Sequence, residues 1–353
     1  MVEKTNETKL IKAGDRIIGD GHPTFIIAEI GMNHNGDMKL AKKIIRAAAK
    51  AGCDAAKFQI FTAEKLVTKD AKTYGNEDKH LPDYQQEMYK KHELTKEQYK
   101  KLKKYCDKLG LVFFASVWDE ENADLLEEVG GEIFKFGSMD ITHLPLLEHV
   151  AKKDKPIILS VGMSTMDEAQ EAVDVITKHT QKLMLTHCIS AYPAKAEDAS
   201  MLSMVLLKEK FGFPVGFSDH TPDVLTDTVA VALGANIIEK HFTVDKKLPG
   251  VDHHLSFNPK EMTRMVQEVR LVEKMLGRKE LFVKESEKET RMMARRSVIA
   301  RVDIPQGTKI TQEMLIIKRP GTGLPPKEIY NIIGHTSTTH IKADTIIQKE
   351  MFE

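Results

Sequence analysis

Cysteine is scarce in this chain, three in 353 residues, and Cys53, Cys106 and Cys188 show no CxxC spacing. That excludes a disulfide framework and a zinc-thiolate cluster, and leaves three reduced thiols that read as small core fillers. Tryptophan is scarcer still: Trp118 stands alone and reads as a packing residue. Neither sign of charge is in excess, since Lys plus Arg and Asp plus Glu each number 52. No net field draws the chain to nucleic acid or a membrane surface, so a charged ligand must be met by local groups. Long hydrophobic runs are missing too. No stretch approaches the ~20 apolar residues that span a bilayer, and the N-terminal MVEKTNETKLIK lacks the apolar centre of a signal peptide. These absences predict a soluble, cytoplasmic protein with no nucleic-acid or membrane partner.

What is present is a recurring short β-rich run. Eight occur in the first three quarters of the chain: FIIAEI (25–30), AAKFQI (55–60), VFFASV (112–117), IFKFGS (133–138), PIILSV (156–161), KLMLTH (182–187), PVGFSD (214–219) and NIIEKH (236–241). Segments of helical period separate them, the βα alternation of a parallel sheet. Several helix starts are legible. Thr95 with Gln98 and Thr165 with Glu168 form capping boxes, Leu94 and Tyr99 a hydrophobic staple, and Gly110 a helix stop. Pro222 behind Thr221, and Pro259 behind Asn258 with Glu261, place proline at a first helical position. Eight βα units in about 250 residues fit a (β/α)8 TIM barrel. An open dinucleotide-binding sheet is disfavoured because the first run ends in AEIGMNHNG rather than GxGxxG.

Barrel enzymes place their chemistry at the carboxyl ends of the strands, and here those ends are polar. They carry Glu29, Lys57 and Gln59, Ser116, Lys135 and Ser138, and Ser160. Beyond them come His187, Ser190 and Tyr192, then Ser218, Asp219 and His220, then Glu239, Lys240 and His241. Residues two apart on a strand share a face, so Ser218 points with His220, Glu239 with His241, and Lys57 with Gln59. Two histidines at matching depth on adjacent strands suit a divalent metal that also takes substrate and water; His187, His253 and His254 are rival ligands by spacing. Lys57 and Lys135 sit in apolar strand contexts, where an unpaired ammonium costs several kcal/mol. Either each pairs with a buried carboxylate or both face an anionic ligand. The hydroxyls of Ser138, Ser160 and Ser218 beside them favour a phosphate and carboxylate cradle.

The grain changes after residue 280. GRKELFVKESEKET (277–290) is charged and weakly patterned, and DIPQGTKIT (303–311) is echoed by HIKADTIIQ (340–348) in a stretch of turns and short β pieces. The expected division is 1–280 for the barrel with a short N-terminal hairpin, 281–293 for a linker and 294–353 for a small β-rich module. Within the module, IKRPGTGLPP (317–326) sets Arg319 on a constrained turn.

The motifs AEIGMNHNG, KFQ, FKFGS, ILSVGMS, HCISAYP, GFSDHT, IEKHFT, PGVDHHLS and KRPGTG resemble, in order and position, those of the sialic acid synthases, the N-acetylneuraminate synthase family. The likeness runs over roughly residues 15–350, and around EKHFTVDKKLPGVDH it is similar to the spore-coat polysaccharide synthases. This resemblance implies a barrel joined to an antifreeze-like SAF (β-clip) domain. It implies a transferase that condenses phosphoenolpyruvate with an N-acetylmannosamine-type aldose and water, releasing phosphate by C–O cleavage and giving a nine-carbon 2-keto sugar acid. By motif, His220 and His241 are implied to hold Mn²⁺ or Mg²⁺. Lys57, Lys135, Ser138, Ser160, Ser190 and Ser218 are implied to hold phosphoenolpyruvate. Glu29 and Glu239 are implied to act on the attacking water and the open-chain sugar. Tyr192, Asp252 and Asp140 are implied to meet the sugar, with Arg319 reaching across a domain-swapped homodimer. Val251, Ser190 and Asp140 depart from residues common in the family, so a legionaminic or spore-coat type acceptor is the alternative. Two other classes stay open: a sugar- or ice-binding protein using the C-terminal module, and a Schiff-base aldolase using Lys57 or Lys135.

Overall fold

The computed structural model describes residues 8–73 and 81–353; the first seven residues of the N-terminal stretch read above lie outside it. The chain divides into two compact units, Met1–Gly277 and Arg278–Glu353. The first opens with an antiparallel hairpin, β1 (Ile11–Ala13) and β2 (Arg16–Ile18). Eight parallel strands follow: β3 (Phe25–Gly31), β4 (Ala55–Ile60), β5 (Val112–Val117), β6 (Phe134–Phe136), β7 (Ile157–Val161), β8 (Leu183–Cys188), β9 (Val215–Asp219) and β10 (Ile237–His241). They close into a barrel in chain order, β10 pairing with β3. This is the predicted TIM barrel, and each strand falls within a residue or two of its predicted run.

Strand alternation divides the side chains cleanly. One set, including Ile26, Ala28, Phe58, Phe113, Phe136, Leu159 and Phe217, joins the helices in the large outer core. The other set fills the barrel interior and changes character with height. Its lower layer is apolar: Phe25, Ile27, Ala55, Val112, Phe114, Ile133, Ile158, Met184 and Ile237. Ile11, Ala13 and Ile18 of the hairpin join this layer. Two residues further along each strand the same face turns polar, which places the site.

The helices begin largely where their caps are written. The boxes of Thr95 with Gln98, Thr165 with Glu168 and Asn258 with Glu261 all form, and Gly110 follows the helix Lys96–Lys108 at φ 71. Pro222 is a correction. The helix after β9 runs Leu225–Ala232, three residues late, and the amides of Val224 and Leu225 are met by the Asp223 carboxylate. Thr221 is unavailable as a cap because its hydroxyl is engaged by Asp219 and Thr226.

The second unit holds β11 (Ser297–Ala300) and β12 (Leu315–Lys318), paired antiparallel, over a core of Val298, Ala300, Ile304, Ile310, Leu315, Ile332, Ile341 and Ile347. Its two echoed segments pair with each other: the Ile304 amide donates to the Ile341 carbonyl and the Ile341 amide to that of Ile304, at 2.8 and 2.9 Å.

Phe114 is fully buried in the lower layer, beneath the polar one. Phe114→Ala should cost about 3–5 kcal/mol, read as a loss in the urea unfolding free energy of the barrel.

Candidate active site

The polar layer is assembled by register. Glu29 stands opposite His241 on one side and Lys57 on the other. Gln59 is opposite Ser116, Ser116 is opposite Lys135, and Ser218 lies between Cys188 and Glu239. Above this layer opens a cavity of about 250 Å³, lined by Glu29, Lys57, Lys135, Ser138, Ser160, Ser190, Tyr192, Ser218, His220, Glu239, His241 and Asp252 among others. Two of the sequence candidates are not on its wall. Asp140 is buried beside the end of β6, its amide bonded to the Gly137 carbonyl, and Arg319 belongs to the second unit, one residue past β12.

The four ionisable groups at the centre neutralise one another. Lys57 Nζ lies 3.1 Å from Glu29 and 3.3 Å from Glu239, and Lys135 Nζ lies 3.2 Å from Glu239. Of the alternatives weighed for the lysines, the carboxylate pairing is met, since each has a carboxylate partner, and each also lines the cavity. Hydroxyls complete the shell. Lys135 donates to Ser160 Oγ at 2.8 Å, Ser218 Oγ donates to Glu239 at 3.0 Å, Lys57 donates to Ser116 Oγ at 3.2 Å, and Gln59 donates to Glu29 at 2.8 Å.

The two glutamates are not equivalent. Burial pushes Glu29 up to about 7, against the pull of Lys57. Burial acts on Glu239 too, but Lys135 and Lys57 together hold it well below the ordinary carboxylate range. One site thus contains a carboxylate fixed in its charged form and another poised to exchange a proton, the division that acid–base chemistry needs.

At the rim, the rings of His220 and His241 are 5.4 Å apart between centroids, and Tyr192 packs on His220 at 4.1 Å. His220 donates from Nδ1 to the Ile189 carbonyl at 2.8 Å, which leaves Nε2 as the ring nitrogen outside that bond. His241 Nδ1 is buried with no hydrogen-bond partner and sits 3.7 Å from Asp252 Oδ2; burial and the neighbouring His220 hold the ring neutral. A backbone carbonyl fixing one imidazole and an orphaned nitrogen on the other are what a two-histidine metal site asks of its protein. Among the described residues no group of three or more His, Cys, Asp or Glu is arranged to hold a metal.

The rival histidines lie elsewhere. His187 Nε2 donates to the Ala199 carbonyl and its ring packs on Phe217, His253 bonds Thr243 Oγ1 at 2.6 Å, and His254 is exposed. Cys188 corrects the core-filler reading: it lines the cavity, with Sγ 3.8 Å from His220 Nδ1. The clue was its place two residues after Thr186 on the inward face of β8. Trp118 also lines the cavity while packing on Phe61 at 5.7 Å, so it does both. Met32, Met88, Met139 and Met163 line it too.

A closed parallel barrel with a polar, partly ionised cavity at the carboxyl ends of its strands defines the chain as a barrel enzyme. The NeuB family model matches residues 44–281 and the SAF domain model residues 295–353. The N,N'-diacetyllegionaminic acid synthase of Legionella pneumophila is 40% identical over 95% of this chain and 96% of that protein. The N-acetylneuraminate-9-phosphate synthase of Homo sapiens is 36% identical over 96% of this chain and 95% of that protein. The crystal structure of N-acetylneuraminic acid (sialic acid) synthetase from Leptospira borgpetersenii in complex with citrate superposes with a TM-score of 0.73 at 37% identity, covering 80% of this chain and 95% of that chain. The chain belongs to the NeuB family, several of whose relatives are named as synthases, and carries a SAF domain. Among the described residues, no helix is long and apolar enough to cross a membrane.

The opposite shifts of the glutamates give opposite pH signatures. Between 4.5 and about 7 the folded protein keeps a proton on Glu29 that the unfolded chain has released, so this group's contribution to stability declines as pH rises through that window. Glu239, depressed below its ordinary 4.5, contributes above that value and loses its contribution as pH falls toward the folded pKa. The urea stability of the wild type minus that of Glu29→Gln should therefore decline from pH 4.5 to 7. The difference from Glu239→Gln should decline only on acidification, and flat differences in both cases would contradict the assignment.

Proposed function

We propose that the protein condenses phosphoenolpyruvate with the open-chain form of an N-acetylated hexose, N-acetylmannosamine first, and water. The products are a nine-carbon 2-keto sugar acid and inorganic phosphate. The observation that carries this reading is the convergence of two buried lysines, a set of hydroxyls, a proton-poised carboxylate and two facing histidines in one cavity. The likeness to named sugar-acid synthases over nearly the whole chain supports it.

Lys57 and Lys135, with Ser138, Ser160, Ser190 and Ser218, would bind the carboxylate and phosphate of the donor, offsetting negative charge that grows on the leaving group. His220 and His241 would hold Mn²⁺ or Mg²⁺, which when bound supplies a Lewis acid for the sugar aldehyde. Bond formation runs from C3 of phosphoenolpyruvate to the aldehyde carbon, whose oxygen takes the C=O electron pair and a proton to become a hydroxyl, leaving C2 electron-poor for addition of water. Glu29 is the residue to take a proton from that water, because its affinity for protons lies near neutrality while Glu239 stays charged. Collapse of the resulting tetrahedral C2 then breaks the bond to the phosphate oxygen. Glu239, bonded by Ser218 and both lysines, holds the donor cradle in place. Tyr192 and Asp252, at the rim beside the histidines, would meet the acceptor sugar. Asp140, off the cavity wall, is not assigned a sugar contact; Arg319 of the second unit would meet the sugar from across a swapped homodimer in the cytoplasm, as the family resemblance implies.

A second acceptor, a 6-deoxy diacetamido hexose of the legionaminic kind or the spore-coat counterpart, is favoured by the apolar part of the cavity wall, where Met32, Leu81, Met88, Trp118 and Leu255 stand. A Schiff base on Lys57 is disfavoured, since burial is outweighed by Glu239 and Glu29, which raise its proton affinity. Burial lowers that of Lys135 against the pull of Glu239, so borohydride trapping of Lys135 without need of a metal is the outcome that would favour the aldolase class.

Incubation with Mn²⁺, phosphoenolpyruvate and a panel of N-acetylated hexoses should release phosphate with at least one of these two acceptors. No release with either would refute the reading. His220→Ala and His241→Ala should each lower kcat by roughly 1000-fold or more; full activity in either would remove that residue from the metal pair.

A further inference from the structure

Behind the cavity, on the faces of β9 and β10 that point away from it, lies a polar cluster that the proposed chemistry does not use. Asp219 and Lys240 stand opposite each other in the register and are 1% and 2% exposed. Lys240 Nζ meets Asp219 Oδ2 at 2.5 Å and donates to the Thr221 carbonyl at 2.7 Å. It also lies 4.2 Å from the centre of the Phe257 ring. Asp219 accepts from the Thr221 amide at 2.7 Å and the Thr226 hydroxyl at 2.7 Å. Asp227 is buried 3.7 Å from Lys240 with no donor on either oxygen, and burial holds its carboxyl well above the usual range; the close partner of the ammonium is Asp219.

Each group tied here belongs to a segment that carries a cavity residue. Asp219 and Thr221 flank His220, and Lys240 sits between Glu239 and His241. Phe257 closes the 243–256 stretch that presents Asp252, and its amide donates to the His241 carbonyl at 2.8 Å. The register between β9 and β10 ends at the Asp219–Lys240 pair. His220 and His241 therefore lie just past the last rung, where no ladder bond between these strands fixes one imidazole against the other.

We propose that Lys240 and Asp219 are positioning residues that set the separation of His220 and His241 and the approach of Asp252. The inference rests on the reading of those histidines as the metal pair for its functional consequence, but not for its geometry. Lysine suits the task because one ammonium can reach a carboxylate on β9, a carbonyl of the following turn and an aromatic face together.

A buried ion pair can also serve stability alone, and replacing both members with apolar residues is then often harmless. The double variant Asp219→Leu/Lys240→Met separates the two roles, since it removes both members of the pair together and leaves neither Asp219 nor Lys240 as an orphan charge. Its metal-free crystal structure should show the imidazole centroids displaced by roughly 1 Å from their 5.4 Å separation, with kcat lowered about 100-fold. Mn²⁺ affinity, read by electron paramagnetic resonance, should fall about 10- to 100-fold even where the unfolding midpoint recovers. An unchanged centroid separation with native Mn²⁺ affinity would overturn the proposal. Should the double variant fail to fold, Asp219→Asn keeps the shape and removes the charge; it should show the same losses at smaller size, and native affinity with native geometry would overturn the proposal there too. A wild type that binds no Mn²⁺ would refute the metal reading, and the centroid separation would still decide the positioning role.

Discussion

Glu239 is shared by two lysines, and the rest of the site is arranged around that sharing. A lone ammonium at the depth of Lys57 or Lys135 would cost several kcal/mol or shed its proton. One carboxylate between two ammonium groups leaves positive charge to spare, and Glu29 takes up part of it through Lys57. The outcome is asymmetric. Glu239 is held ionised from both sides, while Glu29, with one lysine and one amide, sits where burial brings its proton affinity near neutrality. An anion entering the cavity meets lysines already desolvated and oriented, so little reorganisation remains to be done on binding.

That arrangement depends on what lies below and behind it. The apolar layer closed by the hairpin excludes water from beneath, which strengthens each charge interaction above. Behind β9 and β10, the contacts of Lys240 bind together the strand ends from which Ser218, His220, Glu239 and His241 project. Rigid strands supply the level of each side chain, and buried polar contacts supply the lateral spacing that strands alone do not fix past their last rung.

Much of this was legible in the sequence because it follows from local rules. Eight short β-rich runs separated by segments of helical period gave the barrel, and period-2 alternation at a strand end separated Ser218 and His220 from Asp219. Capping boxes at Thr95, Thr165 and Asn258 gave helix starts because their hydrogen bonds close within four residues. The misses are tertiary. Pro222 does not start its helix because Asp219 and Thr226 engage the Thr221 hydroxyl. Cys188 reads as core filler unless the inward face of β8 is followed one step past Thr186. That one glutamate would serve two lysines is invisible in any window, since Lys57, Lys135 and Glu239 come from three distant strands.

Side-chain carboxyl carbon shifts of Glu29 and Glu239, followed by nuclear magnetic resonance through a pH titration of the ligand-free protein, test the shared-carboxylate arrangement most directly. Glu29 should titrate near 7 while Glu239 stays ionised throughout the same range. Two carboxyls titrating together near the ordinary 4.5 would contradict it.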